Sequence, residues 1–450
     1  MSSTRVGLRD RRRSGGGRRV WRLAGVAAAS GAMVATASGV AGAATSNGTS
    51  GTLHVAVVAP FTGVTANFGV LLSFPCKAAT SLINKAGGVM GKTLGCQPVN
   101  NYGDPADAVP SLQKAFATSK TIVVAEGFDS TTAATTIPLV ERQKIPFITT
   151  NGLTSYDSQK NKYFYRMSPS DEQNGAAYSV AADHLHFKKV AIIYANNIGA
   201  SGNIPGTNAA AKKVNLQVTS NLVIPGDETS YSSTVERVVA GKPQALIFYA
   251  DSQTTATFLA NYSQLTNGKL PPIVTAESNI LPTFVSALGK VAPVSYITKK
   301  IYFVGQTMTQ KQPAFTNFSA AMKAVGAPGG AINGVVSSIF TGLNILSLAM
   351  DEAHSTKGTV YNKDVLKVVA AHKGSVVVHT YKEGLAALKK HKSIQYVGTG
   401  GPIKFDSAHN FVGSWGVSNI NATGTPNQVF TIPGTKVLAD ATGGHHSKGR

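Results

Sequence analysis

Histidine, cysteine, serine and acidic residues are the groups in this chain that could do chemistry, but their spacing matches no catalytic motif. The sequence holds no G-x-S-x-G elbow, no H-E-x-x-H pair, no Walker motif and no G-x-G-x-x-G between a strand and a helix. Its histidines are dispersed, and His184 and His186 lie at a predicted helix end, where a surface role is commoner than metal binding. The pattern argues against an enzyme, and we expect neither a cofactor nor a metal ion.

The chain has two cysteines, Cys76 and Cys96, which are too few for a metal site. In an oxidising compartment they would pair and close a loop of about 20 residues, a link that stabilises a protein by about 3 kcal/mol. We therefore predict a disulfide between the first helix and the second strand.

The N-terminal 43 residues differ in composition from the rest of the chain. A basic stretch leads into an apolar run from Leu23 to Val40, and the A-x-A site Ala41-Gly42-Ala43 follows. This order predicts a secretory signal peptide over residues 1–43, with cleavage near Ala43. Arg18-Arg19 also fits a twin-arginine signal, so both export routes stay open. No lipid anchor is expected, and no later segment is expected to span a bilayer.

The net charge of the chain is +21, and it stays at about +14 once the signal peptide is removed. Such a charge could attract polyanions or an acidic surface, or it could come from lysines scattered over solvated helices. No basic cluster matches a nucleic-acid motif, so the scattered arrangement is favoured and no nucleic-acid partner is expected.

Short β-branched runs alternate with longer helical patterns from Leu53 onward, and the alternation restarts after Asp171. Parallel strands need crossover helices, so this order predicts an α/β fold of two Rossmann-like lobes with parallel sheets. The chain is expected to pass from one lobe to the other near Met167, Val304 and Gly398, and these three segments would form a hinge. The predicted division is signal peptide 1–43, lobe 1 over 44–168, lobe 2 over 169–303, the second part of lobe 1 over 304–397, return strands of lobe 2 over 398–435 and a flexible tail over 436–450.

Seven short motifs, in this order and spacing, are similar to those of a known family. They are Val55 to Gly63 (VAVVAPFTG), Ile83 to Lys92 (INKAGGVMGK), Gly103 to Ala108 (GDPADA), Ile145 to Ile148 (IPFI), Tyr165 to Asp171 (YRMSPSD), Lys189 to Tyr194 (KVAIIY) and Gly401 to Asp406 (GPIKFD). Together they resemble the leucine/isoleucine/valine-binding proteins of ABC transporters. That resemblance, which runs through almost the whole chain after the signal peptide, implies the type I periplasmic binding protein fold.

The resemblance also implies positions for the ligand. The family holds a ligand carboxylate at two strand-to-helix turns, which here fall at Ser130 with Thr131 and at the turn that contains Asn151, Gly152 and Thr154. Helix N-termini suit an anion, although Ser130 could equally well only cap its own helix. Glu277 falls where the family has the acid that pairs with the ligand's ammonium. Phe68 matches the aromatic residue that closes over the ligand, although an aromatic residue that begins a helix is commonly part of the core.

The chain departs from branched-chain amino-acid binders in the second lobe. Asp251 and Ser252 stand where those binders often have a tyrosine, and Asn196-Asn197 follows the strand that ends at Tyr194. An aspartate and amides at these positions favour a ligand more polar than leucine, or a second point for binding a cation.

The function predicted on this basis is an exported, monomeric solute-binding protein, which captures an amino acid or similar small polar solute and delivers it to a membrane permease. Two alternatives stay open, namely a ligand-sensing regulatory protein of the same fold and a secreted protein associated with the cell wall.

Overall fold

The computed structural model describes residues 51–63, 66–127, 129–328 and 331–441. The predicted signal peptide lies outside the described residues. The elements up to residue 166 are β1 (Thr52–Ala59), α1 (Ala66–Lys85), β2 (Thr93–Asn100), α2 (Pro105–Thr118), β3 (Ile122–Gly127), α3 (Ser130–Arg142), β4 (Phe147–Thr149) and β5 (Phe164–Arg166).

Strands and helices continue to alternate up to residue 324. The elements are α4 (Asp171–His184), β6 (Lys189–Ala195), α5 (Ile198–Ser201), α6 (Ile204–Lys213), β7 (Gln217–Ile224), α7 (Ser232–Ala240), β8 (Ala245–Tyr249), α8 (Ser252–Leu265), β9 (Ile273–Ala276), α9 (Pro282–Leu288), α10 (Val294–Lys300), β10 (Ile301–Gln306) and α11 (Pro313–Ala324).

The C-terminal part of the described chain contains a long helix, several short elements and a hairpin. The elements are α12 (Gly334–Glu352), α13 (Gly358–Tyr361), α14 (Asp364–Lys367), β11 (Val376–Val378), α15 (Tyr381–Leu388), β12 (Ile394–Gly398), β13 (Gly401–Pro402), β14 (Trp415–Ile420), β15 (Pro426–Ile432) and α16 (Gly434–Ala441).

The first sheet, called sheet 1, has the strand order β2-β1-β3-β4-β5, and its neighbouring strands are parallel. Side chains of β1 alternate between two cores. Val55 and Val57 pack into the cluster that contains α1 and α12, whereas Ala56 and Val58 pack into the cluster that contains α2 and α3. Strands buried on both faces are expected to be apolar throughout, as β1 and β3 nearly are.

The second sheet, called sheet 2, has the order β15-β14-β10-β9-β8-β6-β7. The strands from β7 to β10 are parallel, and β14 and β15 extend the sheet in antiparallel fashion. A small third sheet has the order β11-β12-β13. The predicted α/β class with parallel sheets is confirmed, while the hairpin β14–β15 adds an antiparallel edge.

The chain passes between the two sheets three times, through residues 167–170, 307–312 and 403–414. The passages are hydrogen-bonded to their neighbours. The Phe411 amide donates to the Arg166 carbonyl at 2.8 Å, and the Thr307 amide donates to the Ser414 carbonyl at 3.1 Å. Three adjacent passages can act together as a hinge, because small backbone rotations in each would rotate one sheet against the other. The domain boundaries given above stay a prediction.

Two of the C-terminal helices bear on expectations from the sequence. Among the helices of the described residues, α12 is long and apolar enough to cross a membrane, but 94% of its apolar stretch is buried inside the protein, as in a core helix. The expected tail is helical up to Ala441, because Val437 is buried against the core of sheet 2.

Cys76 of α1 and Cys96 of β2 form a disulfide, with their Cα atoms 6.1 Å apart. The predicted pairing is confirmed, and it joins the first helix to an edge strand of sheet 1.

Candidate functional site

Aspartates cap α2, α3 and α8, three of the helices that follow the carboxyl ends of parallel strands. Oδ1 of Asp129 accepts from the Thr131 and Thr132 amides, each at 3.0 Å, at the start of α3. Asp251 does the same for the first turn of α8, accepting from the Gln253 and Thr254 amides at 2.9 Å. An aspartate suits this position because its short side chain reaches unpaired amides and its charge matches the helix dipole.

These caps bear on the predicted carboxylate site at Ser130 and Thr131. Ser130 is the first residue of α3 and half-buried, and Thr131 is exposed. Two amides of this helix turn already bond Asp129. Asp251 and Ser252 likewise start α8, with Asp251 as its cap. The role of these four residues in ligand binding stays a prediction.

The second predicted turn follows β4. Thr149 Oγ1 accepts from the backbone amide of Asn151 at 3.1 Å and from its side-chain Nδ2 at 2.7 Å, while Asn151 Oδ1 accepts from the Leu153 amide at 3.2 Å. Thr154 is exposed and begins a single 3-10 turn. Many of the hydrogen-bonding groups of this turn are therefore already bonded to one another.

Gly152 of this turn lies directly against Asp171, the first residue of α4. The Asp171 amide donates to the Gly152 carbonyl at 2.7 Å. A Cβ added at Gly152 would lie 1.7 Å from Asp171 Oδ1, and one added at Gly202 would lie 2.8 Å from Oδ2. The carboxylate of Asp171 therefore lies between the turn after β4 and the segment between α5 and α6, where only glycines leave room for it.

Asp171 is only 8% exposed, and within the described part of the chain its Oδ2 has no hydrogen-bond partner. Burial raises the pKa of Asp171 to about 7, an effect that the charge of Arg166 opposes and that of Asp157 reinforces. Arg166 is itself 1% exposed and pairs with Asp157 through Nη2, while its Nη1 donates to the Leu153 carbonyl at 3.0 Å.

Glu277 follows β9 at the carboxyl edge of sheet 2 and is 7% exposed. Its Oε1 accepts from the Gly334 amide at the start of α12, and the Gln306 amide at the end of β10 also donates to the carboxylate. A Cβ added at Gly305 would lie 1.9 Å from Oε2. Burial raises the pKa of Glu277 to about 7, and the two backbone hydrogen bonds oppose that rise.

Two buried tyrosines, Tyr178 and Tyr194, and the half-buried Tyr249 lie near these two acids. The ring of Tyr249 is 6.5 Å from that of Tyr178 and 6.4 Å from that of Tyr194. Burial raises the pKa of Tyr178 well above its ordinary value, and the charges of both Asp171 and Glu277 add to the rise. Tyr178 is therefore close enough to both acids to respond to their charges.

Comparison with known proteins connects this arrangement to a family. The family described as "Periplasmic binding protein" matches residues 52–425. The chain belongs to the periplasmic binding protein family.

A curated relative, the Leu/Ile/Val-binding protein homolog 3 of Brucella melitensis, is 23% identical over 311 residues, which is 68% of this chain and 80% of the relative. Leucine binding protein LivK of Thermotoga maritima has 16% identity and a TM-score of 0.67 over 84% of this chain and 98% of its own. LivJ of Streptococcus pneumoniae, solved with isoleucine, has 15% identity and a TM-score of 0.68, and the match covers 85% of this chain and 99% of LivJ. A solute-binding protein of R. palustris, solved with benzoate, has 15% identity and a TM-score of 0.65, and the match covers 85% of this chain and 97% of that protein. The structural matches agree with the type I periplasmic binding fold.

Members of the periplasmic binding protein family bind solutes and do not transform them, so this chain is an extracytoplasmic binding protein and not an enzyme. No group of three or more histidine, cysteine or acidic side chains in the described ranges is placed to hold a metal ion.

A depression of about 260 Å³ lies elsewhere, at the C-terminal end of α12, lined by polar groups such as Glu352, Lys367 and His391. None of its lining residues follows a strand of sheet 1 or sheet 2, so the carboxyl edges described above are the better candidate for the solute site of a periplasmic binding protein.

The sequence predicts a ligand-binding role for Glu277 but not for Asp171, which is only the last residue of the motif YRMSPSD. A second acid also went unnoticed. Glu126 lies near the end of β3, is fully buried, and has no partner for either carboxylate oxygen among the described residues. The sequence feature that could have identified Glu126 is an acidic residue in an otherwise apolar strand. Phe68 belongs to α1, and its side chain lies outside the described residues.

Proposed function

We propose that this periplasmic binding protein is the solute-binding component of an ABC transporter, and that it captures a small polar solute with an amino group between the two sheets. The observation that carries the proposal is the pair of buried acids, Asp171 and Glu277, at the carboxyl edges near the hinge. A buried carboxylate is costly unless a donor or cation meets it, and an ammonium group supplies both.

Proteins with this fold bind different solutes, two of which carry an amino group. LivK is a leucine binding protein, LivJ was solved with isoleucine, and the R. palustris protein was solved with benzoate. The side chains of this chain argue for a more polar solute than leucine, since Asp251 and Asn196 follow strands of sheet 2. In this proposal the protein is exported as a monomer after cleavage near Ala43 and delivers its solute to a membrane permease.

A thermal-shift screen of amino acids, amides, small peptides and short organic acids tests the proposal. A solute present at one hundred times its Kd stabilises the folded protein by about 2.7 kcal/mol, which raises the melting temperature measurably. We expect at least one amino-bearing compound to raise the melting temperature. A folded protein that responds to no compound in the screen would contradict the proposal.

The variant Glu277→Gln tests the role of the acid directly. Loss of a charge-assisted hydrogen bond costs roughly 1.5 to 3 kcal/mol, so we expect the affinity for the identified solute to fall about tenfold to a hundredfold. The matched control is Glu236→Gln on α7, since Glu236 is exposed and carries the same charge. Equal affinities of Glu277→Gln and the control would argue against an ammonium partner at Glu277.

A further inference from the structure

We infer that the solute is an organic cation, an amine that carries no carboxylate. This inference rests on the proposed function and narrows its solute class. It differs from the sequence-based expectation, in which the turns at Ser130 and Asn151 would hold an anionic group.

Most segments at the carboxyl edges of the two sheets carry acidic residues or no charge, in a protein that is otherwise strongly basic. The stretch from the end of β4 to α4 contains Lys160, Lys162 and Arg166, and the one from β10 to α11 contains Lys311. From the last residue of each of β1, β2, β3, β6, β7, β8 and β9 through the first turn of the next helix, by contrast, the sequence contains no lysine or arginine. The same segments contain Asp104, Asp129, Asp227, Asp251 and Glu277. The charge at these edges would therefore attract a cation and repel an anion.

The N-termini of α3 and α8, where the sequence predicted ligand contacts, already bond carboxylates of the chain. Asp129 takes two amides of α3 and also accepts from Thr132 Oγ1 at 2.9 Å. Asp251 takes two amides of α8 and accepts from Thr254 Oγ1 at 2.6 Å. A carboxylate of the solute would have to compete with these caps and would meet their like charge.

Asp171 supplies an independent observation that points to a cation. It is more than nine-tenths buried, and its Oδ2 lacks a partner within the described residues. Oδ1 of Asn203, the residue after Gly202 in the chain, is also buried without a hydrogen-bond partner among the described residues. A buried acceptor without a partner favours binding of a donor, and an ammonium group has several N–H bonds to donate.

The one buried cation nearby does not supply a site for a solute carboxylate. Arg166 pairs with Asp157 and donates to the Leu153 carbonyl, which leaves only Nε without a partner in the described chain. Asp157 and Asp171 together carry more negative charge than one guanidinium balances. The local charge therefore favours a cation even with Arg166 included.

The test compares each amino acid with the amine that lacks its carboxylate. The pairs are leucine with 3-methylbutylamine, ornithine with 1,4-diaminobutane, and phenylalanine with 2-phenylethylamine, measured by titration calorimetry at pH 8 on the full exported chain. We expect an amine to bind at least tenfold more tightly than its amino acid. Tighter binding of the amino acid overturns the inference alone. Binding by no member of any pair also overturns the inference alone if the thermal-shift screen has found another solute, and it overturns the proposed function as well if the screen has found none.

Two further measurements test the role of Asp171. Asp171→Asn should weaken binding of the best amine at least tenfold, whereas Asp183→Asn, at the other end of α4 and paired at the surface with Lys188, should leave the affinity unchanged. Unchanged affinity in a folded Asp171→Asn protein overturns the inference.

The wild-type protein provides the measurement that does not depend on folding of a variant. Alkylamines stay protonated between pH 6 and pH 8, so a weaker affinity for 1,4-diaminobutane at pH 6 reports protonation of the protein's acids. The charged and titratable groups that influence Asp171 are Arg166, Asp157 and the tyrosines of α4, β6 and β8. We expect a loss of affinity of about threefold or more at pH 6, and equal affinity at the two pH values overturns the inference.

Discussion

Replacing Glu277 with glutamine would change the pH dependence of stability in a way that follows from the position of its carboxylate. The side chain lies between the end of β10 and the start of α12, is 7% exposed, and accepts from the Gly334 and Gln306 amides. Glutamine has nearly the same shape and one oxygen acceptor. It keeps one of the two hydrogen bonds and cannot ionise.

The size of the effect follows from the raised pKa of Glu277. Burial raises this pKa from its ordinary value of 4.5 to about 7. Below pH 4.5 the carboxyl is protonated in both the folded and the unfolded chain, so it adds no pH dependence. Between pH 4.5 and pH 7 the unfolded chain releases the proton while the folded chain keeps it, so stability falls as the pH rises. The total loss is about 3 kcal/mol, because one pKa unit corresponds to about 1.4 kcal/mol.

Glutamine removes this loss but costs one hydrogen bond of about 1 kcal/mol, because its NH2 group cannot accept from a backbone amide. We therefore expect Glu277→Gln to be more stable than wild type by about 2 kcal/mol at pH 8, and within about 1 kcal/mol of wild type, on the less stable side, at pH 4. Urea unfolding at pH 4, 6 and 8 with the disulfide intact measures the difference.

The exposed residue Glu236 supplies the control for this experiment, since Glu236→Gln should differ from wild type by the same small amount at each pH. A Glu277→Gln difference that stays constant from pH 4 to pH 8 would refute the argument, because it would mean that the carboxylate is not held in a desolvated position.

Two other predictions concern the fold around the candidate site. Mass spectrometry before and after reduction should detect one disulfide between Cys76 and Cys96, and its loss should cost about 3 kcal/mol of stability; two free thiols in the exported protein would be inconsistent with this. Gly152→Ala should cost about 1 to 3 kcal/mol, because its Cβ would overlap Asp171, whereas Gly199→Ala, whose added Cβ would have its nearest atom 3.7 Å away, should cost less than 1 kcal/mol. Equal losses in the two alanine variants, measured by urea unfolding, would argue against the close packing of Asp171 on Gly152.

Local patterns in the sequence were sufficient for the α/β class, the family and the disulfide. Apolar strand patterns and helix signals depend on neighbouring residues, so α4 begins at Asp171, where the sequence predicted that the alternation restarts. The pairing of Cys76 with Cys96 followed from having only two cysteines in an exported chain. The motifs were sufficient to identify the family because their order, like the alternation of strand and helix patterns, is a property of the linear chain.

Tertiary packing decided which residues meet at the candidate site. Asp171 and Gly152 are separated along the chain and come together because β5 leads directly into α4, and Glu277 reaches Gly334 only because β9 ends beside α12. The hairpin β14–β15 joins sheet 2 through strand pairing between residues more than one hundred positions apart. Burial of a carboxylate depends on such distant neighbours, which is why the raised pKa values of Asp171 and Glu277 could not be read from the residues around them.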